Sequence, residues 1–393
     1  MHALCRNCAN ADLLKQLAAE SGTVDACSVC KIANLPVVRT DDVLFVRAIK
    51  ALIRYYYSEW EYHSKLGDGS FESLLSVDNP IIQVNPALDP LEYEDFLLSF
   101  LDNLHTDDQV NVITAYGRDI YNYMPLSAVA LGDAALLLEI QTALTQRNYF
   151  LVEAEYAKYF EPLRSYVARK VPAGGKWFRA RVGAKKRAAN NSFPPRATEV
   201  FYEPHAGASI SAPPIELAGP GRLNRPGVSF LYLASEENTA IAEVRPHPGD
   251  HVSVGAFLIE AELKIADLSR HDLREFFQSD RELYLLEVIV SIENSLATAA
   301  PPSNRQLYSL TQLLADIFRR MGFQGIMFKS TVGTGSNLVL FEPAAASWAD
   351  GSSRVVQVER VLYEHSAKQV FDPVVDYDVD FDKQARRMSQ AKL

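Results

Sequence analysis

All four cysteines of this 393-residue chain fall within its first 30 positions, as Cys5, Cys8, Cys27 and Cys30. The pattern is C-x2-C, eighteen residues, then C-x2-C, and two such knuckles can close a tetrahedron of thiolates around one zinc ion. A four-thiolate site leaves no open position for a substrate, so the expected role is structural. It holds together a segment too short to build a core of its own. Two disulfides or four free thiols are the competing readings; a reducing cytosol disfavours the first and the clustering disfavours the second. A small helix over 9–19 is expected between the knuckles.

The rest of the chain has the means to bury a core: 48% of residues are hydrophobic and 22% charged, and the length predicts two or three domains. A membrane helix needs about 18 consecutive apolar residues. The best stretch, 128–140, is interrupted by Gly132 and Asp133, and the first residues lack the apolar centre of a signal peptide. A cytoplasmic protein with no membrane partner is expected. The net charge is −10, yet ten basic residues and no acidic one lie between Arg164 and Arg196. An acidic protein with one basic band gives no strong nucleic-acid signal, while the band suits a phosphorylated ligand. Lys185-Lys186-Arg187 within it reads as a solvated linker.

Apolar spacing predicts helices over 41–63, 89–104 and 133–145, with helix resuming towards Arg169, so 39–160 reads as mostly helical. Asp89, Pro90 and Glu92 form an N-cap, a first-turn proline and a capping box. Tyr55, Tyr56, Tyr57 and Trp60 could form a stacking platform, but their helical period favours core. From about residue 175 the pattern changes to strands at 228–234, 252–264, 325–329, 337–341 and 355–363. Helices start at Ser279, capped over Glu282, and at Ser303, ending at Gly322. The C-terminal half is therefore read as mixed α+β. The tail after Phe371 has many charges and few apolar clusters, and loose packing is expected there.

Three places in that half can carry chemistry. Gly221-Arg222-Leu223-Asn224-Arg225-Pro226-Gly227 is a turn-rich loop entering an apolar strand, where Arg222 could fork onto a phosphate or carboxylate or merely cap a turn. Glu243 sits in the apolar run Ala240-Ile241-Ala242-Glu243-Val244, on a short helix expected to be capped by Ser235 and stopped by Pro246. Such a carboxylate must be paired, hydrogen-bonded or solvent-facing. Ser330 ends a strand before a loop whose Gly333 and Gly335 could present N–H groups to an anion or simply form a turn. Tyr232 is by default a core tyrosine.

Taken together these segments resemble the RES domain family, named for its Arg, Glu and Ser. The family pattern G-R-x-N-x-x-G, then L-Y-L-A, then A-x-x-E places Arg222, Asn224, Tyr232 and Glu243 on matching positions. Gly325-Ile326-Met327-Phe328-Lys329-Ser330 and Asn337-Leu338-Val339-Leu340-Phe341 match the family's serine strand and the N-L-x-L-F that follows. Arg179-Ala180-Arg181, after Phe178, resembles its opening strand, so the resemblance covers about 175–345. The helical part resembles, more loosely, a HEPN-type extension. HEPN nucleases use R-x4–6-H, and neither His63 nor His105 has an arginine at that spacing. Arg245 with His251 and Arg360 with His365 fit formally but fall in the other half, so nuclease activity is not expected.

Spacing and resemblance together give four regions: a zinc-bound segment at 1–38, a helical domain at 39–165 that resembles HEPN, a RES domain at 170–370, for which the resemblance implies an ADP-ribosyltransferase-like α+β fold, and a charged tail at 371–393. The resemblance implies destruction of NAD at the nicotinamide N-glycosidic bond, by phosphorolysis or hydrolysis, in a toxin or defence effector held by an antitoxin or regulatory protein. Homo-oligomers are left open. In that reading Glu243 stabilises positive charge growing on the ribose and Ser330 holds it or the nicotinamide side. Arg222, helped by Arg179 or Arg181, clamps the pyrophosphate or an attacking phosphate, and Tyr232 lies against nicotinamide or ribose. Asn224 and Asn337 are further candidates for contact with NAD, although Asn224 is better suited to fixing its loop. Two other classes remain: ADP-ribosyl transfer to a macromolecule, and a non-catalytic interaction module built on the zinc and helical regions.

Overall fold

The computed structural model describes residues 2–62, 71–76, 79–83, 85–104, 126–189, 199–297 and 308–362. Strands β1 (Ala3–Cys5), β2 (Thr23–Asp25) and β3 (Leu35–Arg39) form an antiparallel sheet with β3 in the middle, and α1 (Asp12–Glu20) crosses between the first two. Helices α2 (Val43–Tyr56), α3 (Glu59–Tyr62), α4 (Phe71–Ser76) and α5 (Pro90–Leu104) follow. Asp42 caps α2, its carboxylate accepting the Leu44 N–H at 2.8 Å. Asp89 accepts from Leu91 N–H at 2.8 Å, but Glu92 does not complete the expected capping box. It pairs with Lys31 at 2.8 Å, drawn off by a nearer cation. The single helix expected over 41–63 breaks at Tyr57, whose backbone is extended; Tyr57 is buried, while Trp60, on α3, is 53% exposed. One core joins the buried cysteines to Phe45, Ile49 and Phe96, and thus spans both sides of position 38.

A second core gathers α6 (Ala135–Gln146), α7 (Tyr149–Tyr156) and α8 (Arg164–Val167) with elements far along the chain. After them come β4 (Ala168–Val171), β5 (Lys176–Val182), β6 (Lys185–Ala189), β7 (Glu199–Glu203), β8 (Leu231–Ala234), α9 (Glu237–Glu243), β9 (His251–Ile259) and β10 (Leu263–Asp267). The order closes with α10 (Asp280–Ala297), α11 (Tyr308–Arg320), β11 (Gly325–Lys329), β12 (Ser336–Leu340), β13 (Ala346–Trp348) and β14 (Arg354–Gln357). Ile140, Val152 and Phe160 pack with Leu286, Leu314 and Ile317, so the helices before residue 165 share their core with α10 and α11.

Nine strands make one sheet in the order β13-β9-β5-β8-β12-β11-β10-β4, with β14 also on β9. The pair β10–β11 is parallel and the others are antiparallel. The expected strand over 252–264 is two strands, β9 and β10, separated by Glu260-Ala261-Glu262. Four strands lie between these two in the order, so the sheet curls back on itself around Leu231, Leu233, Phe257, Ile265 and Leu338. Side chains alternate as the pleat requires: Ile326 and Phe328 of β11 face the helical core, and Met327 faces the interior of the curl.

Other expectations also change. Lys185-Lys186-Arg187 is not a linker but part of β6, paired with β7 in a separate two-stranded sheet. The strand expected at 228 starts at Leu231, because Val228 O is taken by the Asn224 side chain at 2.8 Å. The strand expected over 355–363 ends at Gln357. Ser235 does not cap α9. Its N-cap is Glu236, and Ser235 Oγ accepts the Ser336 N–H of the neighbouring strand at 2.9 Å. Among the described residues no helix is long and apolar enough to cross a membrane. Ser303, His63, His105, His365 and the tail 371–393 lie outside the described residues.

Candidate functional site

Between β5, β8, α9 and β12 opens a cleft of about 300 Å³. Phe178, Ala240, Val244 and Phe328 give it an apolar lining, and Arg179, Arg222, Tyr232, Glu243 and Asn337 bring polar groups to it. Five of the sequence candidates therefore converge from positions spread over 179 to 337. Sheet pairing does this: β12 pairs with β8 through Asn337↔Ala234 and Val339↔Tyr232, and β5 pairs with β8 through Phe178↔Ala234.

Glu243 is the last residue of α9, after which Arg245 adopts the left-handed region (φ 48°) before Pro246. Its Oε1 accepts two hydrogen bonds, from Ser330 Oγ at 2.7 Å and from Asn337 Nδ2 at 2.6 Å. Both donors are neutral and both use the same oxygen, so Oε2 has no partner among the described residues. Ser330 is itself fixed, its Oγ accepting N–H groups of Val332 at 3.2 Å and Gly333 at 3.1 Å. The Gly335 N–H goes to Thr239 Oγ1 at 3.1 Å. The two glycines thus spend their amides inside the protein rather than on an anion, contrary to one reading of the loop. Their smallness is needed for close approach: a Cβ on Gly333 would stand 2.6 Å from Thr239 Oγ1. Thr239, fully buried, was not a sequence candidate. The pair of glycines was its only trace, since close approach demands a partner.

The Arg222 guanidinium lines the cleft and makes no hydrogen bond or ion pair with any described residue. Its backbone carbonyl accepts from Thr311, and Gln312 Nε2 donates to Gly221 O at 2.8 Å and Asn224 O at 3.0 Å, so α11 holds the loop from below. Arg179 donates from Nη1 to Tyr232 O at 2.8 Å. Burial, with Arg181 adding repulsion, lowers its pKa from the ordinary arginine value. Arg181 is turned elsewhere, donating to Ser209 O at 2.6 Å, and does not line the cleft.

Asn224 likewise does not line the cleft. Its Nδ2 donates to Gly219 O at 2.9 Å and Val228 O at 2.8 Å, and its Oδ1 accepts from Tyr232 O–H at 2.7 Å. Tyr232 Oη in turn accepts the Leu223 N–H at 3.1 Å, and burial pushes the phenol up to about 12. Tyr232 thus offers the cleft its ring while the hydroxyl clamps the loop. Gly221 fits inside this clamp, where a Cβ would meet Asn224 Oδ1 at 2.3 Å.

At the other end of the chain, the sulfurs of Cys5, Cys8, Cys27 and Cys30 all lie within 4.8 Å of one another, and none is in a disulfide. Cys5 and Cys30 Sγ are 3.9 Å apart, close to the edge of ~3.8 Å that a tetrahedron with zinc–sulfur bonds of about 2.3 Å requires. Burial first, then Cys27, pushes the Cys8 thiol up, so a cation is the group that would hold these sulfurs as thiolates. The donor set fits a closed metal site. It is tied to the core by Gln83 N–H to Cys8 O at 2.9 Å.

Comparison with known families adds one assignment: residues 194–359 match the family model for the RES domain. Over that stretch the chain is similar to the RES domain family. Arg222, Asn224, Tyr232, Glu243, Ser330 and Asn337 all lie inside the matched range, whereas Arg179, on the strand the resemblance took as the domain's opening, precedes it. The helical region also precedes the RES match. A solved structure, the M. tuberculosis MbcT–MbcA toxin–antitoxin complex, is similar at 14% identity over 46% of this chain and 87% of that one, with a TM-score of 0.26. At that score the likeness fixes neither fold nor function. No curated protein matches the chain.

Proposed function

We propose that the RES domain degrades NAD by breaking the N-glycosidic bond to nicotinamide, and that the chain acts as a toxin restrained by an antitoxin or other regulatory protein. One observation carries the chemistry: Glu243 is pinned through Oε1 by Ser330 and Asn337 in the cleft that also receives Arg222, and neither Oε2 nor the Arg222 guanidinium has a partner among the described residues.

NAD's nicotinamide is a cationic leaving group. When the C1′–N bond breaks, its electron pair moves to the ring nitrogen and neutralises it, so no strong general acid is needed. Positive charge then grows on the ribose, and a fixed carboxylate favours that state over the ground state. Glu243 takes this role, with Ser330 and Asn337 as the groups that orient it. Arg222, with a planar fork of donors, suits the pyrophosphate. The Tyr232 ring and Phe178 suit the flat base. A volume of about 300 Å³ is at the low end for small-molecule sites and suits the nicotinamide–ribose half. The new C1′–O bond is made by an oxygen of phosphate or of water. The four N-terminal thiolates would hold zinc, which supplies a crosslink within residues 5–30 and no step of the reaction.

The test incubates the purified full chain with NAD, with and without phosphate, and identifies the products by mass. Nicotinamide appears together with ADP-ribose 1″-phosphate if phosphate is the acceptor, or with ADP-ribose if water is. NAD unchanged under both conditions overturns the proposal, and ADP-ribose found on a macromolecule replaces it with transferase activity.

A further inference from the structure

The loop that carries Arg222 rests on α11, and one of its side chains also meets the helical region before the RES match. Gln312 and Asp316, four residues apart on α11, face the same way. Gln312, with Thr311, holds the loop backbone, and Asp316 takes the side chain of Arg225, whose Nη2 lies 3.1 Å from Oδ2. The same oxygen accepts the Tyr149 O–H at 3.0 Å. Burial first, then Asp316, pushes the Tyr149 phenol well above its ordinary range, so the hydroxyl remains a donor.

Arg225 is covered as well as paired. Its guanidinium carbon lies 5.0 Å from the ring centre of Tyr149 and 5.1 Å from that of Phe150, and the two rings meet edge-on at 80°. A planar cation within reach of two rings is attracted by both. Asn148 caps α7, its side chain accepting the Phe150 N–H at 3.0 Å, which fixes where both rings leave the helix. Phe150 nevertheless stays 56% exposed, so little of its ring serves the core.

Tyr149 and Phe150 precede residues 194–359, so this brace comes from outside the stretch that matches the family. Arg222 depends on such a brace. Its guanidinium has no partner among the described residues, and its aim into the cleft is set by the backbone that carries it. That backbone is fastened by α11 at Gly221, Arg222 and Asn224, and through the Arg225 side chain by α7.

We infer that Arg225 is a positioning residue: seated among Asp316, Tyr149 and Phe150, it ties the Arg222 loop to the helical region, which thereby sets how firmly the cleft grips a pyrophosphate. What Arg222 grips rests on the NAD reading, whereas the brace itself does not. Without substrate, hydrogen exchange over 221–228, read by mass spectrometry, should be at least about tenfold faster in Arg225→Ala and in Phe150→Ala than in the wild type. Arg320→Ala is the control. It breaks another tie between α7 and α11, the 2.7 Å pair with buried Glu153, and lowers Tm while leaving exchange in the loop unchanged. With NAD, Arg225→Ala should raise KM about fivefold and Phe150→Ala about threefold, each with kcat within about twofold. Arg225→Lys keeps a cation between the rings and Asp316 and should recover most of that loss. Placed on Arg222→Ala, Arg225→Ala should add less than about 1.5-fold, because a residue that acts through Arg222 then has nothing to act on. Wild-type loop exchange in both Arg225→Ala and Phe150→Ala overturns the inference whatever happens to NAD. So does equal acceleration of the loop in Arg320→Ala, or KM effects that multiply in the double variant. NAD left intact by the wild type overturns the catalytic reading alone, and exchange then decides the brace.

Discussion

The cysteine cluster and the Glu243 cleft are built from similar numbers of polar side chains, yet one is saturated and the other is not. Around the sulfurs, four donors face a common point within 4.8 Å and three of the four cysteines are buried. Nothing is left over to meet a substrate. Around Glu243, two donors crowd onto Oε1, while Oε2 and the Arg222 guanidinium have no partner among the described residues. Glu243 is a solvent-exposed residue, so its second oxygen stays open to a ligand rather than being used up inside the protein. In the function proposed above, the cysteine cluster holds the chain together and the open cleft carries the chemistry.

The sharpest way to break that division is to remove the metal site. Its loss should cost on the order of 10 kcal/mol of folding free energy, the scale of structural zinc binding. Cys8→Ser, or a strong chelator, is expected to melt the β1–β3 sheet and the core it shares with α2, seen as lost near-ultraviolet dichroism and a lower Tm. Zinc content by elemental analysis should be about one per chain in the wild type. A chelator that stops NAD turnover within the dead time while leaving Tm unchanged would place the cluster in the chemistry instead.

Next in size is Glu243→Gln. It keeps the shape and can still accept from Ser330 and Asn337, but the carboxylate charge is gone, so kcat should fall by about 10²-fold or more at unchanged Tm. Arg222→Lys follows. A lysine leaves a point charge where a fork was, and KM for NAD should rise by about tenfold, equivalent to ~1.4 kcal/mol. Equal kcat and KM in either variant would remove that residue from the site.

The two regions were also unequally legible. Cys5, Cys8, Cys27 and Cys30 declare themselves because their ligand geometry is local, two residues within each knuckle. Arg222, Tyr232 and Glu243 lie close in sequence, but their meeting with Ser330 and Asn337 depends on which strands pair, and single-sequence periodicity does not carry pairing. The same gap explains the misread elements. Lys185-Lys186-Arg187 has the composition of a linker and becomes strand through β7, and Ser235 has the composition of a helix cap yet is claimed by Ser336 of β12. The nonlocal contacts that override local preference also set the site: Thr239 meets Gly333 and Gly335 across about a hundred residues of chain.

The smallest expected effect on turnover concerns the clamp behind the cleft. Tyr232→Phe leaves the ring in place but strips Asn224 Oδ1 of its donor and the Leu223 N–H of its acceptor. Two buried groups lose a partner, so stability should fall by about 1–3 kcal/mol, read as a lower denaturation midpoint. If the hydroxyl only braces the loop, kcat at saturating NAD should change by less than about threefold, with any loss appearing in KM as Arg222 wanders. Alkaline pH gives an independent readout. The folded phenol holds its proton to about 12 while the unfolded one releases it near 10. The unfolded state therefore binds fewer protons between those values, and stability must fall as pH rises through that window. Tyr232→Phe should flatten that fall, and an unaltered alkaline slope would mean that the hydroxyl is not held as tightly as its two bonds imply.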